Sequence, residues 1–368
     1  MARVLPDPVL TAGVATFDPS GAVMPTATYL GLSWPVELGG RRSARVAEAE
    51  RARAVAAAEL DDVTRSLRAE ATLAWIDVLH TRQVVEQRGR MLAALERLVE
   101  ITGERHRAGD VGEVAVLQVR VESERFRTEV LRAQGEADAA MAGLQRFTGA
   151  PVRGEPEGSL LVAPEPVDVE ARVAMALRLR ADVRAAEESV RARAASSALA
   201  RANRWVDATL NVGWTHNFDG LGANASNPST VSATPPFEQF SATLSVPLPF
   251  SRTNRGALDA AAAGRTQADL ALRAVRLRAE VEVRQACVRY QSAVARLARY
   301  DDSLRQDAER VRASTLYTYQ RGGATLLEVL AAQRTVDEVT LGYEEALADH
   351  ARALVELERA TGVWHASF

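Results

Sequence analysis

The sequence lacks lysine altogether and contains one cysteine. All 45 of its basic residues other than histidine are therefore arginines, and 48 acidic residues bring the formal net charge to -3. A balance so close to neutral argues against a basic nucleic-acid-binding protein and against an acidic disordered tail. The single cysteine, Cys287, excludes a disulfide scaffold and a cysteine-based zinc site.

Long apolar runs are also missing. No stretch approaches the roughly 18 consecutive apolar residues that a spanning helix needs, which excludes an α-helical membrane protein. No Gly-rich phosphate loop, catalytic triad or spaced acid pair is present, so the sequence predicts neither an enzyme nor a cofactor. The histidines show no metal-ligand spacing, and no metal site is predicted; they are His80, His106, His216, His350 and His365.

Proline divides the chain, because its ring breaks a helix interior at a cost of about 3 kcal/mol. All 14 prolines fall within 6–35, 151–166 and 228–249. The tracts between and after these clusters carry apolar residues every three or four positions, which is typical of helices in coiled coils. Abundant alanine and arginine favour helix as well. The patterns predict helices at about 43–107, 113–147, 168–203, 254–320 and 325–361.

The proline clusters lie close to four segments in which apolar and polar residues alternate. Alternation over about ten residues fits a strand with one apolar and one polar face. The predicted strands are about 9–16, 28–38, 207–218 and 238–249, with a short loop at 18–26 and a longer polar loop at 219–236.

The two halves of the chain resemble each other. Gly109 matches Gly322, and Leu144 matches Leu357, at the same offset. The predicted fold is mainly α with β, in a duplicated strand–strand–long helix–helix unit. The first repeat takes 1–150, a proline-rich linker 151–167 and the second repeat 168–362. Only the second repeat has a helix before its first strand, so we expect an upstream extension that encodes a signal peptide and the missing helix.

Two strand pairs cannot bury both edges of a sheet, and isolated hairpins are marginal in water. Strands with one apolar face and this length suit a transmembrane β-barrel, where closure removes the edges. Four strands are too few for a barrel, which predicts that several chains each contribute a share.

With these features, the chain resembles the TolC family of outer-membrane efflux channels. The resemblance is greatest to the branch that is paired with heavy-metal-exporting RND pumps. The resemblance covers nearly the whole chain and rests on the order of LPDPVL (5–10), SVPLPFSRTNRG (245–256), RGGATLLEVLAAQRT (321–335) and LERATG (357–362). It implies a homotrimer with a shared 12-stranded barrel in the outer membrane and a long α-helical barrel across the periplasm. It also implies a passive exit duct, possibly for heavy-metal cations, with a periplasmic adaptor protein, an inner-membrane RND transporter and outer-membrane lipid as partners.

The resemblance assigns roles to individual residues. Tyr319 and Glu328 match the tyrosine and the first acid of the family's periplasmic gate, although Ala331 replaces the second acid. A ring of three Glu328 carboxylates would favour cations and resist full ionisation; the alternative is a solvated surface glutamate. The turns expected to dock the adaptor contain Gly109, Asp110, Gly322 and Gly323. The alternative is that these are plain hairpin turns with no binding role. Trp34 and Trp214 are expected in a membrane girdle, with ordinary sheet packing as the alternative.

Two other protein classes stay open on the sequence. A non-enzymatic coiled-coil scaffold would explain the helices but not four strands at equivalent places in both repeats. A periplasmic adaptor also carries a long helical hairpin, yet it would have one hairpin flanked by β-rich domains instead of two tandem units.

Overall fold

The fold is described from a computed structural model. It describes residues 2–16, 25–150, 154, 157–218, 220–224, 227–234, 236–248, 254–300, 302–365 and 368. In chain order the elements are β1 (Val9–Thr16), β2 (Pro25–Val36), α1 (Arg41–Arg107), α2 (Glu113–Thr148), α3 (Val169–Leu179), α4 (Ala181–Ala202), β3 (Ala208–Asn217), β4 (Gly220–Asn224), β5 (Asn227–Thr234), β6 (Phe237–Ser245), α5 (Arg255–Leu297), α6 (Asp302–Gln320) and α7 (Leu326–Thr361).

The chain divides into two compact units. The first comprises Met1–Ala58 with Ala185–Arg273, and the second comprises Glu59–Arg184 with Ala274–Phe368. Among the described residues, no helix combines the length and the apolar character needed to cross a bilayer.

The first unit contains an antiparallel sheet in the order β1-β2-β3-β6. Its register aligns Leu32 with Leu10 on one side and with Val212 on the other, and Val212 with Ala242. Because side chains alternate between the faces of a strand, this register collects the apolar residues on one face. The opposite face carries mostly threonine, serine, asparagine and glycine, including Thr11, Gly31, Asn211 and Thr243.

The prediction of a polar loop at 219–236 is wrong in part. Within this segment, β4 and β5 form a separate antiparallel two-stranded sheet. Leu221 pairs with Ala233 and Ala223 with Val231. Backbone N–H and C=O groups need partners whatever the side chains are, and a polar segment can supply them by folding back on itself. Side-chain polarity alone therefore did not exclude strands.

The single helix predicted at 168–203 is also wrong, since Arg180 separates α3 from α4. Its backbone is extended, with φ -62° and ψ 132°. The buried guanidinium donates to Asp182 and Glu282, each at 2.7 Å, and to the carbonyl oxygen of Ala360 at 3.1 Å. These hydrogen bonds stabilise the break between α3 and α4. The sequence has no proline or glycine at this place that would predict it.

A second break divides the helix predicted at 254–320. After α5, the amides of Arg299 and Tyr300 donate to the carbonyl oxygens of Arg296 and Leu297, each at 3.0 Å. These three-residue spacings tighten the turn and end the α-helix. The Tyr300 ring then lies against the backbone of α7, where a Cβ at Gly342 would come within 2.6 Å of its hydroxyl oxygen.

The cores of the second unit are built around α7. One apolar cluster joins it to α1 through residues such as Ile76, Leu79 and Leu347. Another joins it to α3 and α5 through Val173 and Val283. The third cluster lies beside the helix turns, and its members are Leu98, Val119, Tyr319, Leu326 and Val329.

Candidate functional site

The predicted docking residues occupy two helix turns in the second unit. The turn from α1 to α2 contains Gly109, whose φ of +84° favours glycine, and Asp110, whose amide donates to Arg105. The turn from α6 to α7 contains Gly322, with φ +80°, and Gly323, whose amide donates to the carbonyl oxygen of Thr318 at 3.0 Å. We call these two segments, 107–113 and 320–326, the paired turns.

Arg105 connects the two helical hairpins beside the paired turns. Its Nη1 donates to the carbonyl oxygen of Tyr319 at 2.6 Å, and its guanidinium lies 4.5 Å from the centre of the Tyr319 ring. The Nε atom is 3.9 Å from a carboxylate oxygen of Asp110. One side chain thus contacts residues of both helical hairpins, through a charge-assisted hydrogen bond and a cation–π contact.

Tyr319, the predicted gate tyrosine, is buried in this chain. Only 1% of it is exposed, and its hydroxyl is 3.1 Å from the hydroxyl of Thr102 on α1. It packs with Leu98 and Val329 in the cluster beside the turns. Within one chain, its contacts therefore hold α6 against α1.

Glu328, the predicted gate acid, forms a capping box with Thr325 at the start of α7. Its carboxylate accepts hydrogen bonds from the Thr325 amide at 2.7 Å and hydroxyl at 2.9 Å. These bonds lower the pKa of Glu328, so this environment favours the ionised form. The mutual repulsion expected of a three-carboxylate ring would act in the opposite direction.

A polar seam joins the middle of α1 to α7, and the sequence patterns do not predict it. Arg88 donates to Asp337 at 2.8 Å, and Gln333 donates to the sulfur of Met91 at 2.7 Å. Asp337 is only 7% exposed, and burial raises its pKa although Arg88 opposes that shift. Its position on the inner face of α7, where apolar periodicity predicts hydrophobic residues, is the one signal that could have drawn attention to it.

The predicted girdle tryptophans lie on the apolar face of the sheet. Trp34 pairs with Leu210, whereas Trp214 pairs with Leu30 and Phe240. The two rows are four residues apart along β3, or about 14 Å. The apolar band of an outer-membrane barrel is about 25 Å tall, so two rows about 14 Å apart would not lie at opposite borders of such a band. The girdle assignment stays a prediction.

No group of three or more acidic, histidine or cysteine side chains that could hold a metal ion occurs within the described part of the chain. Cys287 is buried, and desolvation raises the pKa of its thiol. A buried thiol of this kind packs as a small apolar residue.

The sequence matches the outer membrane efflux protein family over residues 16–150 and 173–363. The chain belongs to this family. It is 24% identical to the cobalt-zinc-cadmium resistance protein CzcC of Cupriavidus metallidurans, in an alignment that covers 98% of this chain and 82% of CzcC. The resemblance to TolC-family channels is therefore confirmed.

Solved outer membrane efflux proteins share the fold. The crystal structure of CusC superposes with a TM-score of 0.74 at 18% identity, covering 99% of this chain and 84% of CusC. VceC of Vibrio cholerae gives a TM-score of 0.75 at 20% identity, covering 98% of this chain and 88% of VceC. The predicted fold class, mainly α with β, is confirmed.

These observations establish the general role. The protein is an outer-membrane exit duct of a tripartite efflux system, located in the outer membrane and extending into the periplasm. The family and its structural relatives are channel proteins. The comparisons give no support to the adaptor and coiled-coil scaffold alternatives.

Proposed function

We propose that this efflux duct works as a homotrimer in which each chain supplies four strands to one 12-stranded barrel. The observation that carries the proposal is the sheet itself: within the described residues, β1 and β6 each pair with a strand on one side only. Unpaired strand edges invite pairing with another chain, and closure of a barrel removes them.

The helices support the same assembly. Apolar side chains on α5 recur at helical spacing yet are 44% to 64% exposed: Leu270, Leu277, Val281 and Val288. A similar exposed row on α1 contains Leu60, Val63 and Leu67. Regular apolar rows of this kind are expected to pack against helices of a second copy.

The duct's proposed partners are a periplasmic adaptor protein, an inner-membrane RND transporter and outer-membrane lipid. The paired turns, with Gly109, Asp110, Gly322 and Gly323, are the proposed adaptor-docking surface, because exposed turns on rigid helices commonly bind partners. The apolar sheet face is the proposed lipid contact, with Trp34 near one border and Trp214 within the band. The protein itself is proposed to catalyse no reaction.

We assign heavy-metal cations as the cargo, on the similarity to CzcC. The test deletes the gene in its host and measures growth and metal accumulation in cobalt, zinc and cadmium, with and without the plasmid-borne gene. We expect the deletion to raise accumulation and the plasmid to reverse it. Unchanged tolerance and accumulation in all three metals, with the protein present in the outer membrane of the parent strain, would reject this cargo.

The gate assignment of Tyr319 and Glu328 is part of the same proposal. In planar bilayers, Glu328→Gln should lower single-channel cation selectivity if three Glu328 carboxylates line the mouth. Glutamine can still accept the hydrogen bonds from Thr325, so the helix cap is kept. Glu113→Gln, an exposed acid at the first residue of α2, controls for a general loss of negative charge. Selectivity that is unchanged in Glu328→Gln would leave Glu328 as a capping residue only.

A further inference from the structure

His350 is a buried histidine whose ring has no hydrogen-bond partner within the described part of the chain. It lies on α7 with no exposed surface, and neither Nδ1 nor Nε2 bonds to any atom of the described residues. The His350 ring lies beside the ring of Tyr290 on α5, with 5.4 Å between the ring centres and 38° between the ring planes. A buried polar ring without partners is unusual and calls for an explanation.

The residues of α7 around His350 belong to apolar clusters. Ala351 and Val355 are in the core that faces α1, and Leu354 packs against the core shared with α3 and α5. Tyr290 belongs to the core shared by α3, α5 and α7, and its hydroxyl accepts a hydrogen bond from the Glu165 amide at 2.9 Å. Tyr290 is therefore held in place from the other side and has little freedom to make room for a hydrated cation.

The charged side chains nearby on α1, α5 and α7 form ion pairs with one another. Arg352 donates to Asp77 of α1 and to Asp349, and Asp349 also pairs with Arg296 of α5. Other titratable or charged groups on these elements include His80 on α1, Glu165, Glu170 and Arg172 on and before α3, Cys287, Arg289 and Tyr290 on α5, and Glu345, Glu356 and Glu358 on α7. Burial is the only cause that lowers the pKa of His350, so none of these charges offsets the loss of hydration.

We propose that His350 makes the helical core of the second unit sensitive to acid: the α5–α7 packing tolerates the neutral imidazole and is loosened when the ring takes up a proton. An imidazolium at this position would be a buried charge without a carboxylate partner. The Tyr290 ring offers a cation–π contact, but such a contact is weak compared with the hydration that a buried charge loses.

The sign of the effect follows from linkage. A histidine whose pKa is lower in the folded state than in the unfolded chain has no effect on stability well above the unfolded value, near 6.5. Stability falls as the pH drops below that value, because the unfolded chain binds the proton more tightly. Each pH unit of this descent shifts the unfolding equilibrium by up to tenfold, until the folded-state pKa is reached.

The test uses the purified full-length protein in detergent. Hydrogen–deuterium exchange at the imidazole carbon, followed by mass spectrometry across pH, gives a titration midpoint for each histidine. We expect the midpoint of His350 in the folded protein to lie clearly below the midpoint of the same histidine in protein unfolded by denaturant. A folded-state midpoint equal to or above the unfolded one would overturn the proposal, and this measurement requires no variant.

Thermal unfolding between pH 7.5 and 5.0 supplies the second arm. His350→Leu should show a smaller loss of stability on acidification than the parent protein, whereas His106→Gln should keep the parent's pH dependence. The difference between the variants is the informative quantity, not the pH dependence of the parent alone. Burial raises the pKa values of Asp337 and Glu344, so these two groups add stability as the pH falls, opposite to the effect expected of His350. If His350→Leu retains the full acid dependence, the proposal is wrong; if it does not fold, the exchange midpoint decides alone.

Discussion

At the scale of single residues, the pair Arg88–Asp337 shows how a buried charge depends on its partner. Both side chains are largely buried, and one oxygen of Asp337 has no hydrogen-bond partner among the described residues. Desolvation already outweighs the attraction of Arg88 and raises the pKa of Asp337. The carboxylate is therefore tolerated mainly because the guanidinium is present.

We predict that Arg88→Met destabilises the second unit by about 3–5 kcal/mol, because it leaves an uncompensated buried carboxylate. Asp337→Asn should cost less, since the neutral amide needs no counter-charge. A raised carboxyl pKa is favourable at low pH and loses its benefit as the pH rises through the folded-state value. The gap between Arg88→Met and the parent should therefore narrow in acid, as measured by denaturant unfolding at several pH values. A gap that is independent of pH would contradict the assignment to Asp337.

Residue scale is also where sequence patterns are weakest. The glycines of the paired turns could be predicted, because a left-handed turn favours glycine whatever its neighbours are. The contacts of Tyr319 could not be predicted, since Thr102 and Arg105 are 217 and 214 residues away. These side chains meet only in the folded chain, so the spacing of residues within one helix cannot predict their contacts.

At the scale of elements, apolar periodicity predicts long helices well and their interruptions poorly. The breaks at Arg180 and after Leu297 contain neither proline nor glycine, and each is stabilised by contacts with distant segments. Arg180 bonds to Glu282 and to the Ala360 carbonyl, while Tyr300 lies against Gly342. Tertiary contacts override helix propensity at both places.

The connection from β2 to α1 provides a test at this scale, because two adjacent glycines there differ in their surroundings. Gly39 and Gly40 have φ values of +70° and +72°, so alanine at either position should cost about 1–2 kcal/mol in backbone strain. A Cβ at Gly39 would also lie 2.4 Å from Cβ and Cγ of Trp205, whereas the nearest atom to one at Gly40 is 3.5 Å away.

We therefore predict a larger loss of stability for Gly39→Ala than for Gly40→Ala, measured as the shift in the unfolding midpoint. Adding Gly39→Ala to a Trp205→Gly background should cost about as much as Gly40→Ala does in the parent, because Trp205→Gly removes both the Cβ and the Cγ that clash. Equal losses for the two glycine variants would show that Trp205 moves aside without cost.

At the scale of the whole molecule, the two edge strands of the described sheet, β1 and β6, each have a free edge that the proposed assembly would cover. Three strand spacings separate β1 from β6, which is about 14 Å at about 4.8 Å per strand. A disulfide requires Cα atoms within about 7 Å. Cysteines placed on these two strands can therefore react only between copies, and the native Cys287 is too buried to interfere.

We predict that Thr11→Cys on β1, combined in turn with Ser241→Cys, Thr243→Cys or Ser245→Cys on β6, produces a covalent trimer under mild oxidation. All four positions are exposed, and they belong to the same polar face; the series of β6 positions allows for a shift of register between chains. Non-reducing gel electrophoresis separates monomer, dimer and trimer. Each single cysteine, and the pair of Thr11→Cys with Asn211→Cys on the central strand β3, should stay monomeric in the gel. A cross-linked dimer without trimer would indicate that two chains pair through one edge but do not close a barrel. The absence of any cross-link would mean that β1 and β6 of different chains do not meet, and would reject a barrel built by that pairing.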